Sequence, residues 1–246
     1  MQANMPDKTP QNFYSTIQGL AKTVHKSGYP FIATGGALTL VLLVLEPVLG
    51  LLAAIITGWI VYFFRDPVRV VPEDDSLILS PADGRVQAVT QEKPPPELTG
   101  HDAGKQGYTR ISIFLDLFDV HVNRLPAAGR IEKRVYTPGQ FLNAAMDKAS
   151  EKNERCGLCI RQENDCHIYV VQIAGLVARR IVCDTDEGET AVAGRRFGII
   201  RFGSRVDVYI PDSYQLRVAP GQRAIGGETV LARTDAATQN LQTRRE

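Results

Sequence analysis

Charge of one sign is what this sequence lacks most plainly: 28 Lys and Arg stand against 27 Asp and Glu, a formal net charge of +1. The two signs are interspersed. That excludes a dedicated nucleic-acid binder, which carries a basic patch or stripe. Cysteine is scarce, with four in 246 residues, at Cys156, Cys159, Cys166 and Cys183. A small scaffold stapled by disulfides is thereby excluded. No secretory signal is expected either, because the first stretch is polar and no small-residue cleavage site follows an early apolar core. What is present is a hydrophobic content of 44%, enough for a real core and too much for a globally disordered chain. The length suits one large domain, or one domain with an appendage.

The sharpest compositional break is at 30–64, "PFIATGGALTLVLLVLEPVLGLLAAIITGWIVYFF", where only Glu46 is charged. Glu46-Pro47 divides it into two apolar halves, each at or just under the short limit of the roughly 17–25 residues a spanning helix needs. Two readings follow: a tight hairpin of two short helices turning at Glu46-Pro47, or one tilted or re-entrant element. A buried soluble hairpin is disfavoured, since a soluble helix keeps a polar face. Lys22, Lys26, Arg65 and Arg69 flank both ends, which places both in the cytoplasm by the positive-inside rule. Trp59, Tyr62, Phe63 and Phe64 suit an interfacial aromatic belt. The expectation is an inner-membrane protein with its soluble part on the cytoplasmic side, where thiols stay reduced. Three regions result: a polar segment 1–28, a membrane-associated helical hairpin 29–65, and a β-rich catalytic domain 66–246.

Beyond the connector "RDPVRVVPEDD", β-branched segments alternate with turn signals such as Asp83-Gly84 and Pro220-Gly221. This spacing predicts a mainly β domain of barrel or sandwich-hybrid type with few helices. One helix is predicted over 139–153, with Phe141, Leu142, Ala145 and Met146 at helical spacing. The stretch 91–107 reads as loop. No convincing long repeat stands out, although "SPADGRVQAV" and "VAPGQRAIGGETVLA" both set a glycine turn between short Val/Ala strands.

Chemistry centres on "IIRFGSRVDVYIP", where Gly203-Ser204 separates two apolar runs. A bulge or bend is the plain reading. A hydrolase elbow, Gly-x-Ser-x-Gly before a helix, does not fit, because a strand follows. A different reaction does fit. The serine hydroxyl attacks the carbonyl of the preceding residue, and glycine there relieves crowding and permits unusual backbone angles. Elimination from the resulting ester, then hydrolysis, leaves a pyruvoyl ketone capping a new N-terminus, an electron sink like pyridoxal phosphate. His121 in "FDVHVNRLP" is the candidate base, and period-two alternation puts Asp119, His121 and Asn123 on one face of a strand. Among His25, His101 and His167, only His167 is a rival. Asp83 in "SPADGRV" is either a hairpin-turn residue or a carboxylate that steadies a histidine. Cys156-Gly-Leu-Cys159 with Cys166-His167 resembles part of a zinc site, but a second pair at suitable spacing is missing; reduced thiols without metal are expected. The stretch 143–155, "NAAMDKASEKNER", carries Asp147, Lys148, Lys152 and Arg155, a solvated face or a contact for anionic headgroups.

Taken together, "FFRDP", "SPADGRV", "FLDLFDVHVNRLP", "GQFLNAAMDKASEKNER", "RFGSRVDVYIP" and "VAPGQRAIGGETVLA" resemble the short, membrane-anchored form of phosphatidylserine decarboxylase, in the family's order. The resemblance implies a proenzyme that cuts itself between Gly203 and Ser204. It implies a β chain of 1–203, an α chain of 204–246 and a covalent pyruvoyl group made from Ser204. It implies loss of CO2 from a phospholipid serine headgroup to give phosphatidylethanolamine, with Asp83 and a histidine assisting self-cleavage. Two departures stand out. The family's longer members carry a second histidine where this chain has Arg124, which stays protonated and cannot act as a base, so His121 takes both roles or His167 shares them. The family's Gly-Ser-Thr is Gly-Ser-Arg here, and Arg205 either belongs to the short form or contacts the lipid phosphate. Three alternatives stay open: a related archaetidylserine-type lipid as substrate, a membrane-anchored serine hydrolase using Ser204 and His121, and a carrier module, against which counts the lack of any lysine after Lys152. A homo-oligomer also stays open.

Overall fold

The computed structural model describes residues 23–99, 106–140, 152–175, 180–201, 204–234 and 242–245. Two compact units divide the chain, Met1–Pro67 and Val68–Glu246.

In the first unit, helices α1 (Tyr29–Leu45) and α2 (Pro47–Phe63) are separated by Glu46 alone. Glu46 is extended (φ −147°, ψ 93°), because the proline after it disfavours a helical conformation. Pro47 then opens α2, where its missing N–H has no intrahelical partner to lose. The helices lie side by side because small residues let them. A Cβ on Gly50 would meet the Leu43 backbone N at 2.5 Å, and one on Gly35 the Thr57 hydroxyl at 2.8 Å. Thr39 and Thr57 also share a hydroxyl hydrogen bond at 3.2 Å. The open end is tied by His25 N to Phe64 O at 2.8 Å and Asp66 N to Thr23 O at 2.6 Å. Leucines, valines and isoleucines such as Leu40, Val44, Leu45, Val48, Leu52 and Ile55 face outward. The stretch Lys26–Leu45 is long and apolar enough to cross a membrane.

The second unit is mainly β, as expected. Its largest sheet is antiparallel, with eight strands: β10 (Thr190–Ala191), β6 (Gly129–Thr137), β7 (Arg155–Arg161), β8 (His167–Ala174), β12 (Ser204–Pro211), β4 (Tyr108–Leu115), β3 (Gly84–Gln91) and β14 (Arg223–Ala224), in that spatial order. Smaller sheets are β5 (Val122–Arg124), β11 (Arg196–Ile200) and β9 (Ile181–Cys183); β13 (Gln215–Leu216), β15 (Val230–Arg233) and β2 (Leu77–Leu79); and β1 (Val70–Glu73) with β16 (Gln242–Arg245). All eight residues of β12 are buried, so it is covered on both faces, unlike a half-solvated antiparallel strand. Val206, Val208 and Ile210 join the main core with Ile111, Ile113, Val170 and Phe197. Tyr209 faces the other way, into a second cluster with Tyr108, Cys159 and Tyr169.

A short repeat becomes visible once the strands are paired. "SPADGRV" (80–86) and "LPAAGRI" (125–131) open β3 and β6 in the same way. Their glycines, Gly84 and Gly129, have φ near +150° (153° and 148°), and a Cβ on either would sit 2.2 Å from a carbonyl, of Phe114 or of Arg161. Only glycine can take both constraints. The two motifs bond each other reciprocally, Leu79 N to Pro126 O and Arg124 N to Pro81 O, both at 2.8 Å. Each also receives a glycine N–H at 2.8 Å, from Gly227 to Ser80 O and from Gly194 to Leu125 O. The likeness spans so few residues that it is invisible until the pairing is seen. The counterpart of Asp83 is Ala128, so the carboxylate belongs to one half alone. The helix predicted over 139–153 falls mostly outside the described residues, as do His101, Lys22 and Asp147.

Candidate active site

Ser204 is the first residue of β12, between Leu115 on β4 and Ala174 on β8. Its hydroxyl is fully buried and has no hydrogen-bond partner among the described residues. Gly203 lies outside the described residues. The chain reaches Ser204 from β11, which pairs with β5 through Ile199 and Val122. Ile200 N donates to His121 O at 3.3 Å, so the segment leading into Ser204 runs beside His121.

His121 is fully buried. Its Nδ1 lies 3.0 Å from the Asp119 carbonyl oxygen. A carbonyl only accepts, so Nδ1 carries the proton and Nε2 is the basic nitrogen of the neutral ring. The expected strand from Asp119 to Asn123 is shorter than predicted. It begins at Val122, and Asp119 closes a turn, accepting from Asp116 N at 2.9 Å. Asp119 therefore orients His121 through its main chain, while its carboxylate pairs with Arg223 of β14. Burial pushes the Asp119 carboxyl above its ordinary value; the Asp116 amide lowers it, the Asp116 charge raises it, Arg223 lowers it and the Asp83 charge raises it.

Asp83 is more than a turn residue. Arg69 Nη2 donates to both of its oxygens, at 2.9 and 2.7 Å, and Gly226 N donates to Oδ1 at 2.8 Å. The segments "SPADGRV" and "VAPGQRAIGGETVLA" thus meet, with Arg223 and Ala224 paired to Arg85 and Gly84. The Asp83 loop also holds the His121 strand, by the Arg124 N to Pro81 O bond already described.

Asn123, which alternation had set on the His121 face, meets Gln172, a residue that spacing gave no means of finding. Gln172 Nε2 donates to Asn123 Oδ1 at 2.8 Å, tying β5 to β8 at the pair Gln172–Val206, two residues from Ser204. Among the described residues, Asn123 Nδ2 and Gln172 Oε1 are buried without partners, as is Ser204 Oγ. Orphan buried groups cost about 1–3 kcal/mol each.

Two expectations change, those for His167 and Arg205. His167 sits at the far end of β8, seven residues or about 23 Å along the strand from Ala174, and binds Glu132 at 2.9 Å; it is not beside Ser204. Arg124 is buried, its Nη1 donates to Gly194 O at 2.9 Å, and its Cδ lies 3.0 Å from where a Gly227 Cβ would be. Arg205 does not face a lipid. It is 1% exposed and forms a two-point pair with Asp207, Nε to Oδ1 and Nη2 to Oδ2, both at 2.9 Å, on the sheet face opposite Ser204.

Comparison with known proteins shows the family. The phosphatidylserine decarboxylase family model matches residues 56–232, and the chain belongs to that family. A phosphatidylserine decarboxylase proenzyme of Beijerinckia indica subsp. indica is 51% identical over 218 residues, covering 89% of this chain and 92% of that protein.

Proposed function

We propose that the protein decarboxylates phosphatidylserine to phosphatidylethanolamine and CO2, after cutting itself between Gly203 and Ser204. The observation that carries this reading is the buried Ser204 hydroxyl, without a partner among the described residues, at the head of the central strand, with His121 beside the segment that leads into it, in a chain of this family.

In the proenzyme, His121 Nε2 takes the Ser204 hydroxyl proton, and the oxygen attacks the Gly203 carbonyl carbon. The C–N bond then breaks as His121 returns the proton to the Ser204 amine, leaving an ester. Removal of the Ser204 α-proton expels the Gly203 carboxylate and leaves dehydroalanine. Addition of water and loss of ammonia give the ketone. Asn123 Nδ2, a buried donor without a partner among the described residues, suits the negative charge that develops on the attacked carbonyl. The Asp119 carbonyl holds the ring, and the Asp83 and Asp119 carboxylates favour its charged form. The pyruvoyl cofactor would be made from Ser204 itself, and the polar atoms near it that lack partners among the described residues suit a ketone that must accept and orient an amine. That ketone supplies the electron sink for the bond to CO2.

The anchoring unit suits a lipid substrate. Each helix has 17 residues, about 26 Å at the α-helical rise, against a hydrocarbon thickness of about 30 Å. Lys26 and Arg65 at its open end favour the cytoplasmic face, with the region 66–246 on that side.

Mass measurement of the denatured protein tests this. Two chains are expected, broken after Gly203, the smaller with a blocked pyruvoyl end, together with CO2 release from phosphatidylserine vesicles. Ser204→Ala is expected as one uncut, inactive chain. A fully active single chain, or cleavage that survives this substitution, would overturn the reading.

A further inference from the structure

The cysteine pattern that suggested zinc does not chelate as a Cys-x-x-Cys pair. On strand β7, Cys156 and Cys159 are three residues apart and therefore point to opposite faces. Cys156 lies in the main core, Cys159 in the second cluster with Tyr108, Tyr169 and Tyr209. Cys166 packs on the main-core side too. The strand geometry instead assembles a different set.

We propose that Glu132, Cys159 and His167 form a divalent transition-metal site, with Zn2+ the best match. One ligand atom from each lies within 4.8 Å of the other two. The three stand on neighbouring strands β6, β7 and β8, where Cys159 pairs with Lys133 on one side and Tyr169 on the other. His167 shares the Tyr169 face, being two residues from it. The register shift between Ile131 and Lys133 is a bulge at Glu132, the device by which a sheet re-aims an extra side chain. Metal bonds of about 2.0–2.3 Å need the ligands about 1 Å closer than this limit, a movement the exposed Glu132 can make.

The ligands are braced from behind. Arg161 Nη1 donates to Glu132 Oε1 at 3.3 Å, which leaves Oε2, now 2.9 Å from His167 Nε2, to share a metal with that nitrogen. Tyr169 stacks on the His167 ring, with centroids 6.4 Å apart and planes at 22°. Outer contacts of this kind fix ligand orientation. One thiolate, one imidazole and one carboxylate form the mixed sulfur, nitrogen and oxygen set that zinc accepts, with a fourth position left for water. Binding replaces the Cys159 thiol proton, which passes to solvent. The site is at the opposite end of β8 from Ser204, so the ion serves to tie three strands together.

The test uses the full-length, untagged protein in detergent, stripped with a chelator and then titrated with Co2+ alone. One ion per chain is expected, with a thiolate-to-cobalt charge-transfer band that Zn2+ removes. Cys159→Ser should lose the band, and His167→Gln, at a half-exposed position, should weaken binding by about tenfold or more; circular dichroism shows whether each variant is folded. No binding, binding without a thiolate band, or the same band in Cys159→Ser would each overturn the proposal.

Discussion

The main-chain carbonyl of Asp119 holds the Nδ1 proton of His121 at 3.0 Å. The histidine's tautomer is therefore set by backbone, and the Asp119 carboxylate is left for Arg223. This separates two roles that a single side chain often combines. His121→Gln keeps a polar group of similar reach without a base. It is expected to slow self-cleavage by about 10²–10⁴-fold, read as the persistence of uncut chain on denaturing gels. Asp119→Asn retains the carbonyl and is expected to mature far faster than His121→Gln; equal arrest of the two would assign the orienting role to the carboxylate.

Asp83→Asn keeps the shape and can still accept from Gly226, but it loses the charge facing Arg69. Self-cleavage is expected to slow by about tenfold or more, equivalent to about 1.4 kcal/mol of barrier. The fraction of uncut chain against time after synthesis measures it. Maturation at the normal rate would leave Asp83 as a loop-holding residue only.

Asp207 answers Arg205 inside the sheet, with both side chains at 1% exposure or less. Removing one partner takes the two-point pair away from a buried charge. Asp207→Ala is expected to cost about 3–5 kcal/mol, while replacing both residues by apolar ones of similar volume recovers most of that. Denaturant unfolding in the Ser204→Ala background, where the chain stays whole, gives both values. A small cost for Asp207→Ala would mean that the guanidinium finds water.

Cys183 and Cys156 form a thiol pair across β9 and β7. Hydrogen bonding from Cys156 leads in holding the Cys183 thiol down to about 7, whereas burial, with the Glu132 charge beside it, pushes Cys159 up to about 12. Between pH 6 and 8, Cys183 is expected to alkylate with a midpoint near its own value. Cys156→Ala removes the donor, raises the Cys183 value and should slow its alkylation at neutral pH. Peptide mass mapping of the modified sites decides it; faster labelling of Cys183 in that variant would contradict the pairing.

Much of this protein is legible along the chain. An apolar run broken at Glu46-Pro47 dictates two short helices, because proline disfavours helix in the residue before it and no other charge interrupts the run. Alternating β-branched segments dictate a mainly β unit, and Ser204, His121 and Asp83 are residue types that point to their chemistry. Tertiary structure alone decided who faces whom. Asp119 meets Arg223 across 104 positions, and Asp83 meets the Gly226 amide across 143. Period-two alternation says which residues share a face of one strand. It is silent on the register between strands far apart in sequence, which core packing sets. For that reason the Asn123–Gln172 link, the burial of Arg205 and the separation of His167 from Ser204 emerge only when the strands are laid beside one another.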